Sequence, residues 1–422
     1  MGPRHLLTNV WVVDAASPWY DQRVDVRYDG AAVLEVGPAG TLSPEGPTTD
    51  GNGEGLTTGF VDLGAECPEP GNPHRGTLAE FALEAYLGGF ADVLVEPQTS
   101  PALDTPEAVA YLKAAAAAYP VRLHPLGALT AHLGGELLAE VARLQAAGAL
   151  ALGDGRLPTL KTGLLERALH YTTPLDLPVF QPLALQRTWP AGVAHESPTT
   201  VALGLPTSPA GQEADALARA VAALNYAGGR LHVGPVTTAD ALAALKAAQQ
   251  AGFALTAHTS PLYLMLTDAE LASFDARYHL CPPLRSQADA VALAQAFADG
   301  TFVGIATHHT PVCTEEKVAD FSAARPGGPV LHAAFAALNT VVVGSGLLTL
   351  PELVQRLTAP ARQLLGLPTP VFEVGYTGPL FRLSTTEAYV PYRPKPVYAH
   401  ADPFGELALV GRVTPLRPFT QP

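Results

Sequence analysis

The chain has 422 residues, of which 48% are hydrophobic and only 15% are charged, and its 25 basic against 39 acidic residues give a formal net charge of −14. A chain this acidic, without a cluster of lysine and arginine, is a poor candidate for binding nucleic acid or an anionic membrane. The high apolar content excludes an intrinsically disordered protein. The three cysteines, Cys67, Cys281 and Cys313, are odd in number and far apart, which argues against a disulfide framework and favours the cytoplasm.

The predicted elements begin with short strands in residues 1–55, separated by turns rich in Asp, Gly and Pro, at Leu6–Val13, Arg23–Tyr28 and Ala32–Val36. Because the chain opens with a strand pattern, we expect no signal peptide. Residues 330–350 carry no Asp, Glu, Lys or Arg and are about as long as a membrane span. Their polar and glycine residues instead predict a buried helix followed by a loop.

From residue 56 onward, apolar runs alternate with Ala- and Leu-rich helical patterns. The predicted strands are Thr58–Leu63, Ala91–Glu96, Arg122–Ala128, Ala149–Leu152, Val179–Pro182, Leu231–Val236, Ala254–His258 and Phe302–Thr307. The predicted helices are Thr77–Gly88, Thr105–Ala118, Gly134–Gly148, Leu160–Tyr171, Glu213–Ala227, Thr238–Gly252, Ser286–Asp299 and Pro351–Leu365. Eight strands joined by helices predict an α/β fold, a (β/α)8 barrel at residues 56–367. Short strands return at the end, so residues 1–55 and 368–422 are expected to form a small β-sandwich domain together.

Barrel enzymes carry their chemistry just after the strands. Here GFVDLGAECPEPG (59–71) runs from the first predicted strand into the loop after it, THHTPV (307–312) runs from the end of the eighth and is followed by EEK (315–317), and CPPLR (281–285) and APAR (359–362) lie elsewhere. These segments resemble those of the dihydroorotases, in the cyclic amidohydrolase group, whose barrel opens with GFVDxHxHxRxPG and closes with TDHAPH and EEK. The resemblance covers nearly the whole chain, and it implies a TIM-like metal-dependent-hydrolase barrel and a place in pyrimidine biosynthesis.

The resemblance also implies one or two divalent metals that activate a water molecule, yet the positions that would serve this chemistry have changed. The changed positions are Gly64 and Glu66 for the paired histidines, Pro68 for the substrate arginine, Gln98 for an asparagine, Pro182 (or Gln181) and Pro235 for two further histidines, Cys281 for a residue before PPLR, and His308 for the catalytic Asp. Glycine and proline side chains donate nothing to a metal. We therefore expect no catalytic residue and no bound metal.

A few polar residues remain as candidates for a residual pocket: Glu66, Asp154, Arg285, His308 and His309. Asp154, between two glycines, also fits a turn residue that bonds its own backbone. Arg285 could hold an anion at the barrel mouth or pair with a nearby carboxylate, and His309 could make a structural hydrogen bond. If the metal site were rebuilt, Glu66, Asp154 and His308 would hold zinc.

The changed positions favour a non-catalytic member of the family. Some bacterial members without the metal ligands are structural partners of aspartate transcarbamoylase, so the resemblance implies that partner and a homo- or hetero-oligomer. One alternative is an active zinc-dependent hydrolase that converts dihydroorotate to carbamoyl aspartate. Another is a small-molecule sensor that uses the vacated barrel mouth, with Arg285 as an anion clamp.

Overall fold

The computed structural model describes residues 4–158, 161–183, 192–392 and 398–419. The strands of these ranges are β1 (His5–Val12), β2 (Arg23–Tyr28), β3 (Val33–Pro38), β4 (Thr48–Asp50), β5 (Gly55–Thr57), β6 (Phe60–Ala65), β7 (Phe90–Val95), β8 (Arg122–Gly127), β9 (Ala151–Gly153), β10 (Val179–Gln181), β11 (Ala194–His195), β12 (Thr207–Ser208), β13 (Leu231–Val233), β14 (Leu255–Ala257), β15 (Phe381–Ala388) and β16 (Val410–Pro415).

The α-helices of the same ranges are α1 (Leu78–Leu87), α2 (Pro106–Ala116), α3 (Val141–Ala147), α4 (Thr162–Thr172), α5 (Pro198–Ala202), α6 (Gln212–Ala227), α7 (Ala239–Gln250), α8 (Pro261–Met265), α9 (Gln287–Asp299), α10 (Thr314–Lys317), α11 (Ala334–Leu338), α12 (Leu350–Arg356), α13 (Ala359–Leu365) and α14 (Tyr398–Ala401). Four of the predicted helices begin where expected, because a Ser or Thr side chain accepts a hydrogen bond from the first turn: Thr77, Thr105, Thr238 and Ser286.

The central sheet has seven parallel strands in sequence order, from β6 through β7, β8, β9, β10 and β13 to β14. Ile305 closes it into a barrel, because it forms bridges with Asp62 of β6 and with Thr259 just after β14. Side chains such as Leu63, Leu94 and Phe180 fill the interior and pack with α13. The predicted barrel is confirmed.

The predicted eighth strand, Phe302–Thr307, is wrong in one respect, since this segment forms isolated bridges rather than a ladder. A side chain takes over part of the pairing: the Asp62 carboxylate accepts hydrogen bonds from the Thr307 amide, at 2.8 Å, and from its hydroxyl. The barrel is therefore closed partly by a buried carboxylate.

The predicted helix Gly134–Gly148 begins only at Val141. The preceding segment turns back on itself instead, with the Ala131 amide donating to the Leu137 carbonyl and the Ala139 amide donating to the Leu129 carbonyl.

The ends of other predicted elements differ for a local reason. β10 and β13 stop before Pro182 and Pro235, at positions where a ladder needs an amide hydrogen that proline lacks. The predicted helix Pro351–Leu365 is divided into α12 and α13.

Strands from both ends of the chain form the second sheet, in the order β16, β15, β5, β1, β2 and β3, with β4 also paired to β1. The predicted β-domain built from both termini is thus confirmed, and in the described residues its strands form one seven-stranded sheet. The bounds of the three segments stay a prediction.

Residues 330–350 begin with a 3-10 turn at Leu331–Ala333, followed by α11 and a π-helical turn at Asn339–Val343. The first two of these elements are buried, and a loop follows the third, as predicted. Among the helices of the described ranges, none has both the length and the hydrophobicity that a membrane crossing requires.

An ion cluster holds the barrel at the end where its strands begin. The carboxylate of Asp92, on β7, lies 2.7 Å from Arg362 of α13, 2.7 Å from Arg122 and 2.8 Å from the His124 ring. Although burial opposes it, these partners hold the pKa of Asp92 well below its usual range.

Candidate functional site

A cavity of about 40 Å³ lies at the opposite end of the barrel, where the strands end, and has room for only a few water molecules. The structure brings five of the predicted positions together in its wall: Gly64, Pro182, Pro235, Cys281 and His308. Gly64 lies near the end of β6 and the other four lie in separate loops, so the fold places these five positions around one cavity.

A half-buried arginine that the motifs do not include lies in this wall. The guanidinium of Arg156 lies between two carboxylates, 3.5 Å from Glu66 and 3.5 Å from Glu96, and donates to the His308 carbonyl at 3.5 Å. Burial lowers its pKa, but Glu66 and Glu96 outweigh that effect, so the group stays cationic. Burial also raises the pKa of Glu96 to about 7, despite the arginine.

Three buried imidazoles form a hydrogen-bonded row beside the arginine. His232 Nε2 lies 2.8 Å from His258 Nδ1, and His258 Nε2 lies 3.3 Å from His308 Nε2. At the far end, His232 Nδ1 lies 2.8 Å from the Thr256 hydroxyl. Burial lowers the pKa of all three rings, that of His258 to about 3, so the row is neutral at physiological pH.

The row needs a glycine beside it. Gly234 has φ +156°, and a Cβ at this position would come within 2.6 Å of the His258 ring. A side chain here would therefore displace the histidine. The residue pair Gly234–Pro235 thus fits the imidazole row and offers no side-chain donor of its own.

The donors at the cavity do not fit the metal centre that the family resemblance implies. A hydrolytic zinc takes three protein ligands and an open position. Gly64, Pro182 and Pro235 supply none, and the Arg156 guanidinium already lies between Glu66 and Glu96, where an ion shared by them would have to be. Within the four described ranges, no three His, Cys, Asp or Glu side chains at this cavity bring their ligand atoms within 4.8 Å of one another.

The side chains of the three residues named for a rebuilt zinc site do not converge on one point. Glu66 pairs with Arg156, while Asp154 is buried and accepts hydrogen bonds from the amide and the hydroxyl of Thr130. His308, with φ +54°, directs Nε2 toward His258. These three side chains therefore point to three different partners.

Arg285 lies in the wall of a second cavity of about 420 Å³ beside the first. Its guanidinium donates to the Thr237 hydroxyl at 2.8 Å, contacts His195 Nδ1 at 2.9 Å, and lies 3.4 Å from the Glu213 carboxylate. Of the two roles predicted for Arg285, the structure shows the pairing with a carboxylate, that of Glu213. Burial, followed by Arg285, lowers the pKa of His195 to about 4.

The remaining candidates lie outside the central cavity. His309 accepts a hydrogen bond from the Val330 amide at 3.2 Å, which is a structural contact. Pro68 borders a separate small cavity near His309. Gln98 donates to the Asp154 carbonyl at 3.0 Å and so holds the loop after β9.

The motifs missed Arg156, Glu96, His232 and His258. His232 lies in β13 and His258 directly after β14, and both rings are buried with hydrogen-bond partners. Glu96 and Arg156 each follow a barrel strand, the same signal that singled out the other candidates. A full inventory of charged residues after every strand would have found both.

The sequence profile described as Dihydro-orotase-like matches residues 53–241. The dihydroorotase of Thermus aquaticus is 36% identical over 396 residues, covering 90% of each chain. That of Anaeromyxobacter dehalogenans is 36% identical over 85% of this chain and 83% of its own. A dihydroorotase-like protein of Pseudomonas aeruginosa is 35% identical over 87% of each.

Solved structures agree on the fold. The L-hydantoinase (dihydropyrimidinase) of Arthrobacter aurescens superposes with a TM-score of 0.80 at 19% identity, covering 99% of this chain and 96% of the hydantoinase. The dihydropyrimidinase of Brevibacillus agri gives 0.77 at 20% identity, covering 99% and 94%. With relatives above 30% identity along most of its length, this chain belongs to the dihydroorotase-like family.

Proposed function

We propose that this protein is a non-catalytic dihydroorotase-like member of pyrimidine biosynthesis and a structural partner of aspartate transcarbamoylase. The observation that carries the first part is the Arg156 guanidinium between Glu66 and Glu96. A fixed organic cation at this point faces both carboxylates, but it has no open coordination position with which to bind and ionise water. The protein is accordingly proposed to need no metal for its function.

The proposed partner role is supported by the parts of the barrel that stabilise the fold. The barrel retains its packed interior and the ion cluster around Asp92, although the positions for hydrolysis have lost their donors. Retention of the fold without the site is what a role in assembly would require. The identity of the partner rests on the family resemblance alone.

A direct assay tests the loss of hydrolysis. Untagged protein, supplied with zinc, is expected to give no turnover of dihydroorotate or of carbamoyl aspartate, assayed beside the Thermus aquaticus relative as the active control. Turnover abolished by Glu66→Ala, Asp154→Ala or His308→Ala would overturn the proposal. It would favour the second candidate, a zinc-dependent dihydroorotase, which the names of the relatives support.

A separate measurement tests the partner. Tagged protein isolated from its own cells is expected to co-purify with aspartate transcarbamoylase, and the two are expected to co-elute in size-exclusion chromatography. Recovery of the tagged protein without transcarbamoylase would contradict the role in assembly, even if hydrolysis were absent.

A further inference from the structure

A group of metal-ligating side chains lies away from the central cavity. His74 is in the loop that follows β6, and Cys313 and Glu316 are at the start of α10. The imidazole, the thiol and the carboxylate each have a ligand atom within 4.8 Å of the other two. Among the described residues, this is the group of three that meets the distance requirement for a metal ion.

The donor types suit zinc. Imidazole nitrogen, thiolate sulfur and carboxylate oxygen are the three ligand classes of protein zinc sites, and a thiolate disfavours magnesium or calcium. The Cys313 thiol also has a side-chain contact with Glu315, so a fourth donor is adjacent. His74 is exposed, while Cys313 and Glu316 are half-buried, so an ion has access from solvent.

The group is held in place by neighbouring contacts. Arg75 binds Glu316 through two nitrogens, at 2.6 Å and 3.0 Å, and the Cys313 amide donates to the same carboxylate at 2.9 Å. A carboxylate has about four lone-pair sites, so it can bind an arginine and a metal together. Hydrogen bonds of this kind orient metal ligands in proteins.

The charges around the group are nearly balanced before an ion binds. Glu316 is opposed by Arg75 and by Arg325, whose Nε lies 3.7 Å from its carboxylate. Binding of zinc converts the Cys313 thiol to a thiolate and releases its proton to solvent. The carboxylates of Glu315 and Glu316 and the thiolate then face the ion, and together with the two arginines they bring the local charge to −1 before zinc is counted and to +1 with it.

We propose that His74, Cys313 and Glu316 form a zinc site at the rim of the barrel, with Glu315 as the fourth ligand. The ion would join the loop after the first barrel strand to the segment after the closing one. The site is independent of hydrolysis, since none of these residues lines the central cavity. Consequently, a bound equivalent of zinc in this protein would not by itself indicate a hydrolytic centre.

Metal titration tests the site. Untagged full-length protein is stripped with a chelator, and zinc is titrated in competition with a chromogenic chelator. We expect one equivalent to bind, with affinity reduced at least about 10-fold in Cys313→Ser and in His74→Ala. Cobalt is expected to give a thiolate-to-metal charge-transfer band that Cys313→Ser abolishes.

Matched controls keep the result specific. Cys281→Ser removes the thiol at the central cavity and is expected to leave the affinity unchanged, and thermal melting without zinc checks that each variant folds. Absence of zinc binding, unchanged binding in Cys313→Ser, or a loss seen instead in Glu66→Ala and Cys281→Ser would each overturn the proposal. Hydrolysis of dihydroorotate, measured separately, bears on the proposed function and not on this site.

Discussion

The two ends of β7 differ sharply in how they hold a buried carboxylate. Asp92, where the strand begins, is bound by three partners at 2.7–2.8 Å. Glu96, just after the strand ends, lies 3.5 Å from a single guanidinium, and burial dominates its pKa. Within one barrel, the end associated with stability has kept tight pairing, while the end associated with chemistry has kept only loose pairing.

The largest effect is expected at the tight end. Asp92→Asn should lower the free energy of unfolding by about 3–5 kcal/mol, because it leaves the buried Arg362 without its counter-charge. Urea denaturation at pH 7 measures the change. Glu45→Gln is the matched control, since this exposed carboxylate also pairs with two arginines and should cost less than about 1 kcal/mol. Equal effects in the two variants would break the comparison.

In a third buried cluster, around His332, the effect of charge pairing on the pKa can be distinguished from the effect of burial. His332 lies 3.7 Å from Glu84 and 3.5 Å from Asp402, distances as long as those at the mouth. Burial alone would lower its pKa, but Asp402 and Glu84 raise it to about 9. The folded state therefore binds the proton more tightly than the unfolded chain.

This cluster gives a pH-dependent prediction. Because the pKa of His332 is raised, its stabilisation is complete below about pH 6.5 and is lost as pH rises through about 9, a difference of about 3 kcal/mol at most. Wild-type unfolding free energy is expected to fall across this range, and His332→Gln is expected to flatten the fall. Parallel pH profiles for the two proteins would show that the imidazolium is not paired as described.

The smallest effect is expected at the loose end. Glu96→Gln should be neutral or stabilise the protein by up to about 1 kcal/mol at pH 8, because burial already penalises the charged carboxylate. With the folded pKa raised to about 7, this penalty grows as pH rises from about 4.5 to 7, so the variant should gain most above neutrality. Urea denaturation at pH 5 and pH 8 measures it. If Glu96→Gln lowered the free energy of unfolding by more than about 2 kcal/mol at pH 8, Glu96 would be a stabilising carboxylate like Asp92, and the contrast between the two ends would fail.

Sequence patterns predicted the barrel well, because buried parallel strands and capped helices leave strong local signals, such as Thr77 and Ser286 at helix starts. They did not predict that Asp62 would close the barrel through Thr307, since that contact joins residues 245 positions apart. The predicted start of the helix at Gly134 was wrong, because the Ala131–Leu137 and Ala139–Leu129 hydrogen bonds compete with helix formation before Val141.

At the candidate site, the motif positions located the cavity but not its contents. Gly64 and Pro235 could be identified as lacking donors from residue type alone. That Arg156 would lie between Glu66 and Glu96 depends on how three separate loops pack, which no local spacing encodes. The pairing of Arg285 with Glu213 was one of two open alternatives for the same reason.

The tautomers of the three neutral imidazoles in the row depend on one another, because each ring is hydrogen-bonded to the next. Each ring carries one proton, so when the Thr256 hydroxyl donates to His232 Nδ1, the remaining protons all point toward His308. His308 Nδ1, a buried atom, is then protonated. When Thr256 accepts instead, every tautomer reverses and the same atom becomes an acceptor. The orientation of the Thr256 hydroxyl is thus coupled, across three rings, to the tautomer of His308 in the cavity wall.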